Sequence, residues 1–389
     1  MIDADVAVLD VETGEYRKLV RGADAWFLPP GQIVFYRAGS YHAIRFDPDA
    51  LEVVGDPVPV LEDAADPEPQ GSNRMSLAIS ARGTLFYNTR QIHPPVRLAV
   101  VEEGAEPRLL PFPARAITGI GISPDGRTLA VSSLESGVFV IRLLDAESGT
   151  DERVDLSGSN WDPFWKPDGS GFAFLSMRKG DFDIYFKDVR SGGPERPVWV
   201  TPTDEQPLGW SIDGSHLFVR ETSGDAEALL KAVPVPVDGT GDEPKLIGEH
   251  VSQVAAVSPD GKWLAYDAQR DGVNNTYVRP YPGPGGEVRV SLKGGRRPAW
   301  SPDGSELYYQ RNDSIVAISY TAAQGRFQPG TEEVLFESPL LAQNISGTPL
   351  AVLGRRSFVV TLLEAEPEHP QLQVVLNWQR EVAARLAEQ

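Results

Sequence analysis

One four-residue phrase constrains this chain more than any other feature. Ser-Pro-Asp-Gly, or a close variant, recurs inside the same longer sentence: "GISPDGRTLAVSS" (121–133), "FWKPDGSGFAFLS" (164–176), "GWSIDGSHLFVRE" (209–221), "AVSPDGKWLAYDAQRDG" (256–272) and "AWSPDGSELYYQRNDS" (299–314). The proline presets φ for the second position of a type I turn, the aspartate can bond its own backbone, and the glycine takes the left-handed conformation that follows. Apolar, β-branched and aromatic residues flank each turn, as strands packed on a pleated surface require. Each phrase therefore encodes a tight β-hairpin.

Weaker copies extend the series: "FLPPGQIVFYR" with Gly31, "AISARGTLFYN" with Gly83 and "AVLGRRSFVVT" with Gly354. The eight glycines are separated by 52, 43, 43, 45, 47, 43 and 50 residues, room for four strands of about five residues with their loops. A second strand pair is visible between turns, as in "FDIYFKDVRSGGPERPVWV" (182–200). A lone four-stranded sheet cannot bury both faces, so sheets at this period are expected to pack around an axis. The expected fold is all-β: a single β-propeller of four-stranded antiparallel blades over residues 1–389, eight by this count with seven as the alternative. The N-terminal pair "DVAVLD" and "EYRKLV" is expected to complete the blade begun near Gly354. The tail 377–389 reads as a short helix, since Trp378, Val382 and Leu386 recur every fourth residue and Asn377 is a candidate cap.

Composition excludes several classes. A formal charge of -19 with a pI near 4.7 argues against nucleic acid or an anionic membrane surface as partner. With no cysteine, disulfides and thiolate metal sites are unavailable. The opening "MIDADVAVLDVETG" has neither the positive region nor the apolar core of a signal peptide, and no run of about 20 apolar residues would span a membrane. On this reading the chain is soluble, in a compartment the sequence does not specify.

Enzyme signatures are absent: no HExxH, no GxSxG, no Walker A loop and no CxxC. His42, His93, His216, His250 and His369 fall in different repeats without metal-ligand or triad spacing. The turn aspartates Asp125, Asp168, Asp213, Asp260 and Asp303 are spread around a rim and read as structural. Trp165, Trp210 and Trp300, just before the turns, read as inter-blade packing. What remains is an axial funnel, lined where the innermost strands begin by Thr118, Trp161, Asp162, Gln206, Gln253, Arg296 and Arg297. These positions differ between repeats although the turn does not, as a tailored ligand-binding surface would.

The Ser-Pro-Asp-Gly hairpins followed by "LAY", "LYY" or "FAFLS" resemble the Pro-Asp-type, WD40-like repeats of the TolB-like propeller superfamily. Longer phrases are similar to the C-terminal propeller region fused to bacterial Hanks-type serine/threonine kinases. They run from "LDVETGEYRKLV" to "GDPVPVL" (9–61), then "SARGTLFYN", "VRPYPGPGGEVRVSLKGGRRPAWSPDGSELYY" and "VVLNWQREV". Nothing matches the kinase glycine loop, its β3 lysine, an HRD loop or a DFG; "GDFDIY" (180–185) is similar only in print. The resemblance implies a sensor or scaffold propeller with a kinase as partner, extracytoplasmic if that kinase is membrane-anchored. The expected function is non-catalytic binding of a protein, peptide or small-molecule ligand, with no cofactor. The alternative is a metal-dependent, lactonase-like hydrolase or lyase with a calcium-like ion on the axis, held by Asp162, Gln206 and Gln253.

Overall fold

The hairpins form as their chemistry dictates. In a computed structural model of the chain, Gly261 N–H donates to Ser258 O (2.8 Å). Ser258 Oγ donates to Asp260 Oδ1 (2.6 Å) and accepts from Trp263 N–H (3.0 Å). Asp260 Oδ1 also accepts from Lys262 N–H (3.2 Å). The same set recurs at Ser123, Ser211 and Ser301. Gly126, Gly169, Gly214, Gly261 and Gly304 all have φ between 66 and 76°. These bonds hold Asp213 and Asp303 down to pKa values of about 2.

The structure describes residues 5–9, 11, 13–37, 40–61, 77–80, 83–88, 94–135, 138–178, 182–201, 204–222, 228–235, 244–249, 254–270, 272–323, 325–341, 348–364 and 372–387. Their contacts divide into two units, Met1–Pro94 with Glu368–Gln389, and Pro95–Pro367.

Among the described residues the second unit holds six four-stranded antiparallel sheets, the blades, each given from its inner to its outer strand. Blade 1 is Ala351–Gly354, Ser357–Leu363, Val96–Glu102 and Arg108–Leu109; blade 2 is Ile117–Ile122, Thr128–Glu135, Val138–Asp145 and Thr150–Arg153. Blade 3 is Asn160–Trp165, Gly171–Ser176, Asp183–Asp188 and Arg196–Trp199; blade 4 is Asp204–Trp210, His216–Thr222, Leu229–Pro234 and Lys245–Glu249. Blade 5 is Ala255–Val257, Trp263–Arg270, Val273–Pro280 and Val288–Arg289; blade 6 is Arg296–Trp300, Glu306–Arg311, Ser314–Ala323 and Arg326–Glu337.

An apolar cluster fills every seam. Leu98, Ile117 and Leu129 join blades 1 and 2, and Ile141 and Phe174 join 2 and 3. Phe186 and Leu217 join 3 and 4, Phe218 and Leu264 join 4 and 5, Ala265 and Leu307 join 5 and 6, and Tyr308 and Phe358 join 6 back to 1. Six blades therefore close this ring, and the count of eight is corrected: the hairpins at Gly31 and Gly83 belong to the first unit.

The closing strands also differ from expectation. Ser357–Leu363 pairs with Val96–Glu102, from Ser357 opposite Glu102 to Leu363 opposite Val96. The N-terminal strands Asp5–Leu9 and Tyr16–Arg21 pair with each other. Val96–Glu102 is mostly buried and can fill the middle of a blade, whereas Tyr16–Arg21 is largely exposed. Arg356 fastens the closure, donating to Glu306 (2.5 Å), Glu103 (2.8 Å) and Glu333 (2.8 Å).

In the first unit, Ala23–Leu28, Gln32–Arg37, Ser40–Asp47 and Glu52–Leu61 form one four-stranded sheet. Leu372–Val375, Leu85–Asn88 and Leu77–Ile79 form a three-stranded one. The helix α1 (Trp378–Ala387) buries Trp378, Val382 and Leu386 with Val34, Tyr41, Leu77 and Leu85, so it is part of this unit's core. Asn377 leads into it with φ 56°, its carbonyl accepting from Arg380 N–H (2.9 Å).

Candidate functional site

Each inner strand of the ring runs toward its turn from the opposite end, which we call the mouth. Near the mouth the pairing slips in blades 2, 3, 4 and 6, at Ile117/Gly119, Trp161/Phe164, Pro207/Gly209 and Arg296/Ala299. A bulge re-aims the extra side chain. In blades 3 and 6 the bulged residue adopts left-handed backbone, Asp162 at φ 48° and Arg297 at φ 56°. Both lie seven residues before their turn glycine, three blades apart in a ring of six. An acid and a base thus stand at equivalent positions on opposite sides of the axis.

The structure buries three of the residues the sequence placed along the axial funnel. Thr118, Asp162 and Arg297 are 4, 5 and 5% exposed, while Trp161, Gln206 and Arg296 are half-buried. Gln253 lies outside the described residues, as do His93, His250 and His369. Thr118 Oγ1 meets Ser132 Oγ at 3.0 Å. Trp161 packs between Phe139 and Phe182, with ring centres 4.8 and 5.6 Å away.

Asp162 and Gln206 do come together: Gln206 Nε2 donates to Asp162 Oδ2 at 3.3 Å. Burial pushes the Asp162 carboxyl up to about 7, against that hydrogen bond and the opposing fields of Arg220 and Arg297. Arg297 donates from Nε to Thr348 O (2.9 Å), from Nη1 to Gln310 Oε1 (3.0 Å) and from Nη2 to Pro349 O (3.2 Å). All three acceptors are neutral. Burial pulls its pKa down to about 9, helped by the Arg296 cation and opposed by Asp267 and Asp162. Burial likewise lowers Arg296, with Asp267 opposing. Asp267 is buried and accepts from Val254 N–H (2.8 Å).

Sequence reasoning missed the second ring of polar groups. Ser132, Arg220, Asp267 and Gln310 each stand six residues after their turn glycine, on the second strand; Ser132, Arg220 and Gln310 pair opposite Gly119, Gln206 and Arg296 beside the bulges. A polar residue at that one place, straight after an apolar run ("LAVS", "LFVR", "LAYD", "LYYQ"), was the available signal. Thr348 was missed too; its Oγ1 accepts from Ile120 N–H (3.2 Å) and its carbonyl from Arg297, linking blades 2 and 6.

The turn aspartates stay in their turns. Trp210 Nε1 donates to Phe164 O (3.0 Å) and Trp300 Nε1 to Ala256 O (2.9 Å), both across seams, and Trp165 packs edge-on against Phe172. His42 stacks on Phe35 and His216 meets Ser215 Oγ at 2.8 Å. Among the described residues no group of three or more His, Cys, Asp or Glu is arranged to hold a metal. Of the three residues the calcium-like alternative names, Asp162 and Gln206 meet through the amide nitrogen, and Gln253 lies outside the described residues.

No family model matches the chain, and no curated protein does. Solved structures do. A putative TolB from Agrobacterium tumefaciens is 17% identical with a TM-score of 0.54, over 69% of this chain and 99% of that one. TolB from Acinetobacter baumannii is 16% identical with a TM-score of 0.44, over 76% and 80% of the two chains. An oligogalacturonate lyase in complex with manganese is 14% identical with a TM-score of 0.41, over 93% and 96%. The fold is that of a TolB-like β-propeller.

Proposed function

We propose that the six-bladed ring is a non-catalytic binding module that takes a protein or peptide at its mouth. The observation that carries this reading is the contrast between the two ends. At the turn end the same Ser-Asp-Gly bonding set recurs in blade after blade. At the mouth the polar groups change from blade to blade: Thr118 with Ser132, Asp162, Gln206 with Arg220, Asp267, and Arg297 with Gln310. Apolar side chains surround them on that end: half-buried Trp161 and Phe182, with Val273 and Leu292 48 and 72% exposed. Exposed apolar groups around a polar centre suit a protein partner.

The likeness of the long phrases to kinase-fused propellers supports a role as the sensor part of a serine/threonine kinase system. Among the described residues no helix is long and apolar enough to cross a membrane.

The test is affinity capture with the full chain against variants at both ends. Leu292→Glu and Trp161→Ala at the mouth are expected to lose the partners captured by the native chain. Ile212→Glu, in an exposed turn position at the other end, is expected to keep them. Loss only with Ile212→Glu would move the binding surface to the turn end and overturn the reading.

A further inference from the structure

Asp162 differs from the other axial groups in how little satisfies it. Arg297, equally buried, has three nitrogens engaged by acceptors at 2.9–3.2 Å. Among the described residues Asp162 receives a single 3.3 Å contact from a neutral amide, although a buried carboxylate needs charge-assisted donors to stay ionised. Its carboxyl packs closely against Gly119, where a Cβ would stand 3.0 Å from Asp162 Oδ1 and 2.8 Å from Ser132 Oγ. The donor that does reach it, Gln206, is half-buried and lies on the mouth side, so a ligand that displaces this amide meets the carboxyl directly.

We propose that the mouth of the ring takes a cationic, hydrogen-bond-donating group, the ammonium of a lysine side chain or of a peptide N-terminus, in place of the Gln206 amide on Asp162, with release of the Asp162 proton. This rests on the mouth being the binding surface. The step balances simply: the carboxyl O–H breaks, its proton goes to solvent, and the ammonium N–H groups donate to the carboxylate formed. The charged groups whose fields reach Asp162 are Arg220 on the second strand of blade 4 and Arg297 on the inner strand of blade 6. Asp183 and Glu205, both buried, stand on neighbouring strands of blades 3 and 4. A chain of net charge -19 steers cations inward from a distance. A carboxyl poised at about 7 makes the exchange visible near neutral pH.

The experiment is an NMR titration of the full chain with Nα-acetyl-lysine methylamide, Nα-acetyl-glutamate methylamide and calcium chloride, each at pH 6 and pH 8. The lysine probe is expected to bind about tenfold more tightly at pH 8, because its site must lose a proton with a midpoint near 7. Asp162→Asn, whose side chain tolerates left-handed backbone, is expected to keep the native spectrum elsewhere and abolish that pH dependence. Gly119→Ala, whose Cβ would crowd Asp162 Oδ1 and Ser132 Oγ, is expected to weaken the lysine probe, while Asp125→Asn in a turn leaves it unchanged. Equal lysine binding by the native chain and Asp162→Asn, or none that grows with pH, would overturn the proposal. So would preference for the glutamate probe or for calcium. If it falls while Leu292→Glu still loses captured partners, the mouth remains the binding surface and only the ligand chemistry is wrong.

Discussion

Replacing Asp162 by Asn sets two physical effects against each other and lets their sign be read. Burial favours the neutral acid; Arg220 and Arg297 favour the carboxylate. If burial wins, as the shift from 3.8 to about 7 indicates, the folded chain keeps a proton that the unfolded chain has lost between those two values. Folding then takes up a proton, and this group's contribution to stability falls as pH rises from about 4 to 7 and levels off above. Asparagine carries no such penalty, can still accept from Gln206, and suits φ 48°. At about 1.4 kcal/mol per pH unit over roughly three units, Asp162→Asn should be more stable than the native chain by up to about 4 kcal/mol at pH 8 and equal to it near pH 4. Urea unfolding followed by tryptophan fluorescence reads this well, because six of the eight tryptophans lie in Pro95–Pro367. The depressed turn carboxylates titrate identically in both proteins and cancel in the difference. A variant less stable at pH 8 than at pH 5, relative to native, would show that the arginine fields prevail and that Asp162 is an ionised structural anchor.

Three further substitutions test the frame. Leu386→Ala should cost about 2–4 kcal/mol in calorimetry of the full chain, because Leu386 is buried in the core of its unit; a loss under about 0.5 kcal/mol would refute that placement of α1. Gly121→Ala should be costly in a way Gly104→Ala is not. The first places a Cβ 2.3 Å from Pro163 O across the seam of blades 2 and 3, while the second, at φ 72° with open space around it, adds only about 1 kcal/mol of backbone strain; equal melting temperatures would refute the close approach. Arg356→Ala should destabilise by about 2–4 kcal/mol at pH 7, because it strips a buried Glu306 of its partner. Since Arg356 holds the Glu306 carboxyl below its usual range, that loss should shrink as pH falls below about 4.5 and Glu306 is protonated in both proteins; a constant difference from pH 7 to 3 would rule out the ion pair as its source.

The hairpins were legible because everything that makes them lies within six residues: serine, proline, aspartate and glycine supply the turn, its bonds and its left-handed exit. Ring closure was not. The pairing of Val96–Glu102 with Ser357–Leu363 spans more than 250 residues, and "VRLAVVE" carries no mark that separates it from other buried strands. The count of eight failed for a related reason, since Gly31 and Gly83 head hairpins with the same local grammar but belong to a different unit. At the site, the spacing from the turn picked out Asp162, Gln206, Arg296 and Arg297 as residues of the mouth end. Their burial was hidden because it depends on the residues six positions after each glycine, and those face the first set only once neighbouring strands have paired.

This arrangement separates what the ring needs from what the site needs. Turn bonds are local to each hairpin and seam packing uses apolar faces, so neither constrains the bulge position or its partner on the second strand. A blade can therefore carry threonine with serine, glutamine with arginine, or arginine with glutamine there without disturbing its neighbours. The one restriction is electrostatic. Charges converging near the axis share a poorly hydrated space in which each alters the ionisation of the others, as Asp162 and Arg297 do across the ring. Changing either one should then move the other's pKa even though they belong to blades with no shared seam, so the mouth must be understood as one coupled titrating unit built from six independent strands.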